Sequence, residues 1–179
     1  NARYFMSLLY LKGEGLPKDL KKSFEWSQKA AIAGHSDAKL LMAAFYATGE
    51  VVAQDLQKSK EWTEKAALQN HPKAQFLLGL MYLKGEAAQQ DTAKAFEWFE
   101  KAAQQGNDDA QLMVAAFYAR GEAVAKDLQK SKEWVEKAAL QGNTKAQLMM
   151  GLFYAKGDIV AKDLQKSKDW IEKAAVAGD

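Results

Sequence analysis

The sequence predicts an all-α chain, a right-handed α/α superhelical solenoid of five 36-residue helix-turn-helix repeats. Three observations lead there. Trp26, Trp62, Trp98, Trp134 and Trp170 are spaced 36 residues apart. Tyr10, Tyr46, Tyr82, Tyr118 and Tyr154 keep that step, as do Gly13, Gly49, Gly85, Gly121 and Gly157, and Asp19, Asp55, Asp91, Asp127 and Asp163. Lys-Ala-Ala recurs in the same register from Lys29, Lys65, Lys101, Lys137 and Lys173. Unrelated residue types sharing one period mark stacked copies of one supersecondary unit, each burying its apolar face against its neighbours. Five copies use almost all of the 179 residues, so a single repeat domain is expected, with repeats over 1–36, 37–72, 73–108, 109–144 and 145–179.

Each copy carries the signals for two helices. Pro72 suits a first helical position, where its missing N–H costs nothing, and Ala74, Leu77, Leu78, Met81 and Tyr82 follow at helical spacing. Gly85 supplies the left-handed residue that stops this first helix. Asp91 is placed to cap the second, whose stripe is Ala95, Trp98, Phe99, Ala102 and Ala103. Gly106 ends it; Gly34, Gly142 and Gly178 do the same elsewhere, with Asn70 as the substitute that tolerates a positive φ.

The first helix is apolar nearly all round, with Phe76, Leu80 and Leu83 opposite Leu78 and Tyr82, so it is expected to be covered on more than one side. Ser7, Ala43, Gly79, Ala115 and Gly151 share one register there and predict a close backbone approach. The second helix is one-sided. Its outer face carries Glu25–Lys29, Glu61–Lys65, Glu97–Lys101, Glu133–Lys137 and Asp169–Lys173 at i,i+4, expected as solvated ion pairs of about 0.2–0.5 kcal/mol each. First helices would then line the concave inside and second helices the convex outside.

Composition narrows the function. Twenty-five basic and 23 acidic residues leave a charge of +2, too little excess for binding nucleic acid through its phosphates. No apolar run approaches the roughly 20 residues of a membrane span, and zero Cys removes disulfides, thiolate metal ligands and a thiol nucleophile. His35 and His71 fall at the same inter-repeat turn, each expected to stand alone and serve the turn rather than a metal or a reaction. The five Asp are spread one repeat apart, which suits helix capping and not acid–base work on one substrate. The sequence therefore predicts no catalytic residue, no cofactor and no metal. Phe24 and Phe96 replace Lys60, Lys132 and Lys168 of the other repeats, either filling the core or exposing aromatic surface.

Polar residues stand amid apolar neighbours at one register of the first helices: Arg3, Lys39, Gln75, Gln111 and Gln147. Lys39, Gln75, Gln111 and Gln147, with the hydroxyls of Tyr46, Tyr82, Tyr118 and Tyr154, would line a concave groove fit for a peptide or helix. The alternative is a hydrolase-type enzyme acting in that groove, but the residues that break register are aromatic or apolar rather than catalytic.

The unit Ala-x-x-x-hydrophobic-small-x-x-Tyr-x-x-Gly, followed by Asp-x-x-Lys-(Ser/Ala)-x-x-Trp-x-x-Lys-Ala-Ala, resembles the Sel-1-like repeat family, a relative of tetratricopeptide repeats. Ala74 through Gly79, Tyr82, Gly85, Asp91, Lys94, Ala95, Trp98 and Lys101–Ala103 give the clearest copy. Gly13-Glu14-Gly15 alone keeps the Gly-x-Gly loop; the other repeats have Val51, Ala87, Ala123 and Ile159 at the second glycine. The resemblance implies a protein or peptide scaffold or adaptor, of the kind found in bacterial host-interaction factors, envelope assembly and eukaryotic quality control, and leans towards a bacterial periplasmic or secreted setting. The start at Asn1-Ala2 and the stop after a second helix suggest a segment of a longer protein, with weak end-to-end self-association through its terminal repeats.

Overall fold

The computed structural model describes residues 1–177, with side chains to Val176. Among them are ten α-helices and no strand. They fall into two compact units. The first, Asn1–Asp91, holds α1 (Ala2–Lys12), α2 (Leu20–Ile32), α3 (Ser36–Thr48), α4 (Leu56–Ala67) and α5 (Pro72–Lys84). The second, Thr92–Asp179, holds α6 (Thr92–Gln104), α7 (Asp108–Arg120), α8 (Leu128–Leu140), α9 (Thr144–Lys156) and α10 (Leu164–Ala177). In each unit a helix packs chiefly on its neighbours in sequence, the connectivity of helix-turn-helix repeats. The expected all-α repeat fold is the one found.

The punctuation works as the sequence predicts. First helices end on glycines at φ between 73° and 81°, from Gly49 to Gly157. At Gly121 an added Cβ would also lie 3.1 Å from the Lys126 Cβ, so the turn needs glycine for space as well as for φ. Asp19, Asp55, Asp127 and Asp163 each accept the backbone N–H three residues on, at 2.9–3.0 Å. The N–H of the register Asp donates to the carbonyl of the register Tyr nine residues earlier, at 2.9–3.0 Å in all five repeats. One hydrogen bond thus links two of the strict registers. Asn70 takes φ 59° in place of glycine, as expected, and Gly178 lies outside the described residues. Where the Gly-x-Gly loop loses its second glycine, Ala87 and Ala123 still hold positive φ, 55° and 58°, against 74° at Gly15.

The Trp and Lys-Ala-Ala registers prove to be one device. In the first four repeats the two alanines are buried in the core, with Ala66, Ala67, Ala138 and Ala139 closed to solvent; in the fifth Ala174 is buried and Ala175 exposed. Trp62 packs against the cluster of Ala30, Ala31, Ala38 and Met42 in the first unit. Trp134 and Trp170 pack against Val135, Ala138, Ala139, Ala146 and Met150 in the second. Each indole is half-buried, and the Lys three residues on lies over its ring at 4.0–4.7 Å in all five repeats. Lys29, Lys65, Lys101, Lys137 and Lys173 are therefore not spent on the expected Glu→Lys pairs. The i,i+4 ion pairs run the other way, Lys60–Glu64, Lys132–Glu136 and Lys168–Glu172, at 2.9–3.4 Å. An indole face one turn away is a better partner for a flexible ammonium than a solvated carboxylate.

Phe24 and Phe96 fill the core. Phe24 meets Phe45 and Tyr46 edge-on at 5.5 and 6.1 Å, and Phe96 meets Phe117 and Tyr118 at 5.5 and 5.9 Å. Lys60, at the same register, lies 5.5 Å over the Tyr82 ring, so its stem and charge replace the phenyl group against the next tyrosine. The small-residue register is a close approach, as expected: the Ser23 hydroxyl donates to the Ser7 carbonyl at 2.8 Å, and a Cβ on Gly151 would lie 3.2 Å from the Ser167 carbonyl.

Candidate functional site

The three glutamines expected in the groove are buried instead. Gln75, Gln111 and Gln147 are only 1%, 4% and 7% exposed. Each donates from Nε2 to a carbonyl in the last turn of the preceding helix, Ala67, Ala103 and Ala139, at 3.1–3.3 Å. Each of those carbonyls also accepts a backbone N–H, from Asn70, Gly106 and Gly142 at 3.0–3.1 Å, so the amide takes the second acceptor position of the oxygen. A side chain that looks like groove polarity is thus a rivet between successive helices. Lys39 is half-buried and donates to Gln69 Oε1 at 2.7 Å. Burial, and then the charge of Lys65, lower its pKa.

The tyrosine row is also tied inward. Lys58, Lys130 and Lys166 lie over the rings of Tyr46, Tyr118 and Tyr154 at 5.3–5.5 Å, and Lys60 lies over Tyr82. The half-buried rings of Tyr46, Tyr118 and Tyr154 join first helices to second helices within their repeats.

What the structure does gather lies on the first helices of the first unit. A cavity of about 320 Å³ opens between α1, α3 and α5. Its apolar wall is Leu8, Leu11, Leu40, Leu41, Ala44 and Leu77; Tyr4, Asp37 and Lys73 supply its polar groups. Burial, and then the charge of Asp37, push the Tyr4 phenol above its usual pKa, so it remains a neutral hydrogen-bonding group. The volume matches a small-ligand or side-chain site at the lower end of the usual range. In the sequence its one signal is a first helix that is apolar nearly all round.

Asp37 also connects the two histidines, which were expected to stand apart. His71 caps α5 by accepting the Ala74 N–H at Nδ1, 3.3 Å away. That bond requires a bare Nδ1, so the ring proton sits on Nε2 and is donated to Asp37 Oδ1 at 2.9 Å. His35 stacks on Tyr4 with centroids 4.4 Å apart, its Nδ1 buried and 3.8 Å from Asp37 Oδ2. Successive turns are thereby pinned at the mouth of the cavity. Among the described residues no three His, Cys, Asp or Glu are arranged to hold a metal ion, and no helix is long and apolar enough to cross a membrane.

A second apolar row was missed. Ile32 and Leu68 in the first unit, and Leu140 and Val176 in the second, share a 36-residue register at the ends of second helices. They are 74%, 73%, 72% and 81% exposed.

The family model for the Sel1 repeat matches at residues 1–35, 36–71, 72–107, 108–143 and 144–179. The structure of c5321, a protective antigen of uropathogenic Escherichia coli with an SLR fold, is similar over 99% of this chain at 35% identity and a TM-score of 0.91. A Sel1 repeat protein from Oxalobacter formigenes is similar over the same share at 31% identity and a TM-score of 0.92. The chain spans 38% of the length of the first and 72% of the second. Immunity protein Pa5087 of Pseudomonas aeruginosa is 17% identical over 98% of this chain and 81% of its own, with a TM-score of 0.52, a likeness of fold alone. No curated protein matches the chain.

Proposed function

Because the chain belongs to the Sel1 repeat family, whose repeats generally serve as protein-interaction scaffolds, we propose that it is a non-catalytic scaffold whose first-helix face seats an apolar side chain of a protein or peptide partner. The observation that carries this reading is the open-mouthed cavity between α1, α3 and α5, apolar within and bordered by Tyr4, Asp37 and Lys73. An apolar interior with a few polar groups at its edge favours burial of one side chain and orients the backbone that bears it. Partner residues flanking the anchor meet one carboxylate and one ammonium, which selects a mixed-charge segment over a polyanion. The near-balanced charge of the chain fits a protein partner for the same reason.

The test is selection from a random-peptide display library, followed by affinity measurement on variants. Ala44 is exposed and lines the cavity, so Ala44→Glu places a carboxylate there without disturbing the core. Burying a Leu-sized side chain is worth about 1.5–3 kcal/mol, so selected peptides should carry an apolar anchor and lose at least about tenfold in affinity for Ala44→Glu. Leu68→Ser, in the exposed outer row, should leave them bound. Peptides indifferent to Ala44→Glu but lost with Leu68→Ser would refute the reading.

A further inference from the structure

The Gln147 amide makes half of the bonds that its counterpart one repeat earlier makes. Gln111 donates to the Ala103 carbonyl at 3.1 Å and accepts at Oε1 from Gln141 Nε2, 2.8 Å away. Gln147 donates to the Ala139 carbonyl at 3.2 Å, which fixes the orientation of its amide. Its Oε1 is buried and has no partner among the described residues. In the sequence the register position of Gln141 is occupied in the last repeat by Ala177, a residue type with no side-chain donor.

A cleft of about 550 Å³ lies here, lined by Gln147, Asp169, Glu172, Lys173 and Val176. In the first repeat Ala33 holds the same register and borders a cleft of about 280 Å³. Where the register holds Gln69 or Gln141, the amide bonds to the residue 30 positions earlier.

We propose that the cleft on α9 and α10 recognises an arginine side chain of a protein partner. A guanidinium presents five N–H groups in a planar fork, enough to serve the Gln147 oxygen and the carboxylates of Asp169 and Glu172 together. Both carboxylates are available to it. Asp169 is exposed and accepts from the Gln165 amide at 2.8 Å, and Glu172 is 63% exposed in its pair with Lys168. The ammonium of Lys173 lies over the Trp170 ring at 4.4 Å. Val176 offers an apolar surface for the stem of the incoming side chain. This site is on a different unit from the apolar cavity, so either can fail without the other.

The test is NMR titration of the whole chain, following the Gln147 side-chain amide, with Nα-acetyl-arginine amide as probe and its citrulline analogue as the uncharged control. The arginine probe should shift the Gln147 signals saturably, and citrulline should bind about tenfold more weakly, having lost the charge-assisted bonds. Ala177→Gln, which supplies in cis the donor that Gln141 gives Gln111, should abolish the shift, and Asp169→Asn should weaken it. An unshifted Gln147, an equal response to citrulline, or undiminished binding by Ala177→Gln would overturn the proposal.

Discussion

Gly151 offers a sharp test of how tightly the hairpins close. A Cβ there would stand 2.6 Å from Ile171 Cγ1 and 3.2 Å from the Ser167 carbonyl oxygen. One repeat earlier the same two positions hold Ala115 and Val135, packed in one cluster at 1% and 0% exposure. Gly151→Ala has two opposed effects. The helix gains about 0.8–1.0 kcal/mol from losing its glycine. Carbon atoms prefer separations of about 3.5–4.0 Å, so Ile171 must leave its rotamer, and overpacking of this kind costs about 1–3 kcal/mol. Ile171 is 40% exposed and can yield in part, which places the net effect near a loss of about 1 kcal/mol. Ile171→Val alone should cost at most about 1 kcal/mol. The double variant recreates the Ala115–Val135 pair and should recover most of the helix gain, a favourable coupling of about 1 kcal/mol or more. Urea denaturation of the four proteins, followed by far-ultraviolet circular dichroism, reads this cycle. Additivity within about 0.5 kcal/mol, or a Gly151→Ala variant stabilised by the full helix gain, would refute the close contact.

Two further outcomes follow from the loops and caps. Ala87 and Ala123 hold a left-handed conformation that disfavours any Cβ, so Ala87→Gly and Ala123→Gly should each stabilise by about 1 kcal/mol, roughly 2–4 °C in Tm for a chain of this size. Val51 has the same register without a positive φ, so Val51→Gly should lower Tm; a rise there would contradict the strain argument. The Asp19 and Asp55 carboxyls are held below their usual pKa, first by the backbone N–H groups of Lys22 and Lys58. A carboxyl depressed in the fold contributes stability above its unfolded pKa of about 3.9, and that contribution is lost as pH falls through the lower folded value. Asparagine caps without titrating, so Asp19→Asn with Asp55→Asn should flatten the acid limb of Tm against pH while nearly preserving Tm at neutrality; an unchanged acid limb would contradict it.

The strict registers were legible because each residue meets a local demand. Glycine and aspartate terminate and start helices through their own backbone and side-chain geometry, and the Trp–Lys spacing is one helical turn. Gln75, Gln111 and Gln147 were misread for a physical reason. A polar residue on an apolar helix can face a groove or add a second bond to a helix-end carbonyl, and the choice depends on where the preceding helix ends. That is tertiary information. The histidines were misjudged similarly, because Asp37 sits between turns that a single repeat does not show together. The cavity was hidden because its size is set by residues on three separate helices, with Ala44 standing where Leu8 and Leu80 fill neighbouring repeats. The sequence did carry the Gln69, Gln105 and Gln141 register and its alanine replacements, but their effect appears only once the paired residue 30 positions earlier is in view.

Methyl NMR on the chain bound to a peptide selected against it measures the central claim at atomic range. Seating of the partner between α1, α3 and α5 predicts intermolecular Overhauser contacts from the peptide's apolar side chain to the methyl groups of Leu8, Leu41 and Leu77. Contacts confined to Ile32 and Leu68 on the second helices would contradict it.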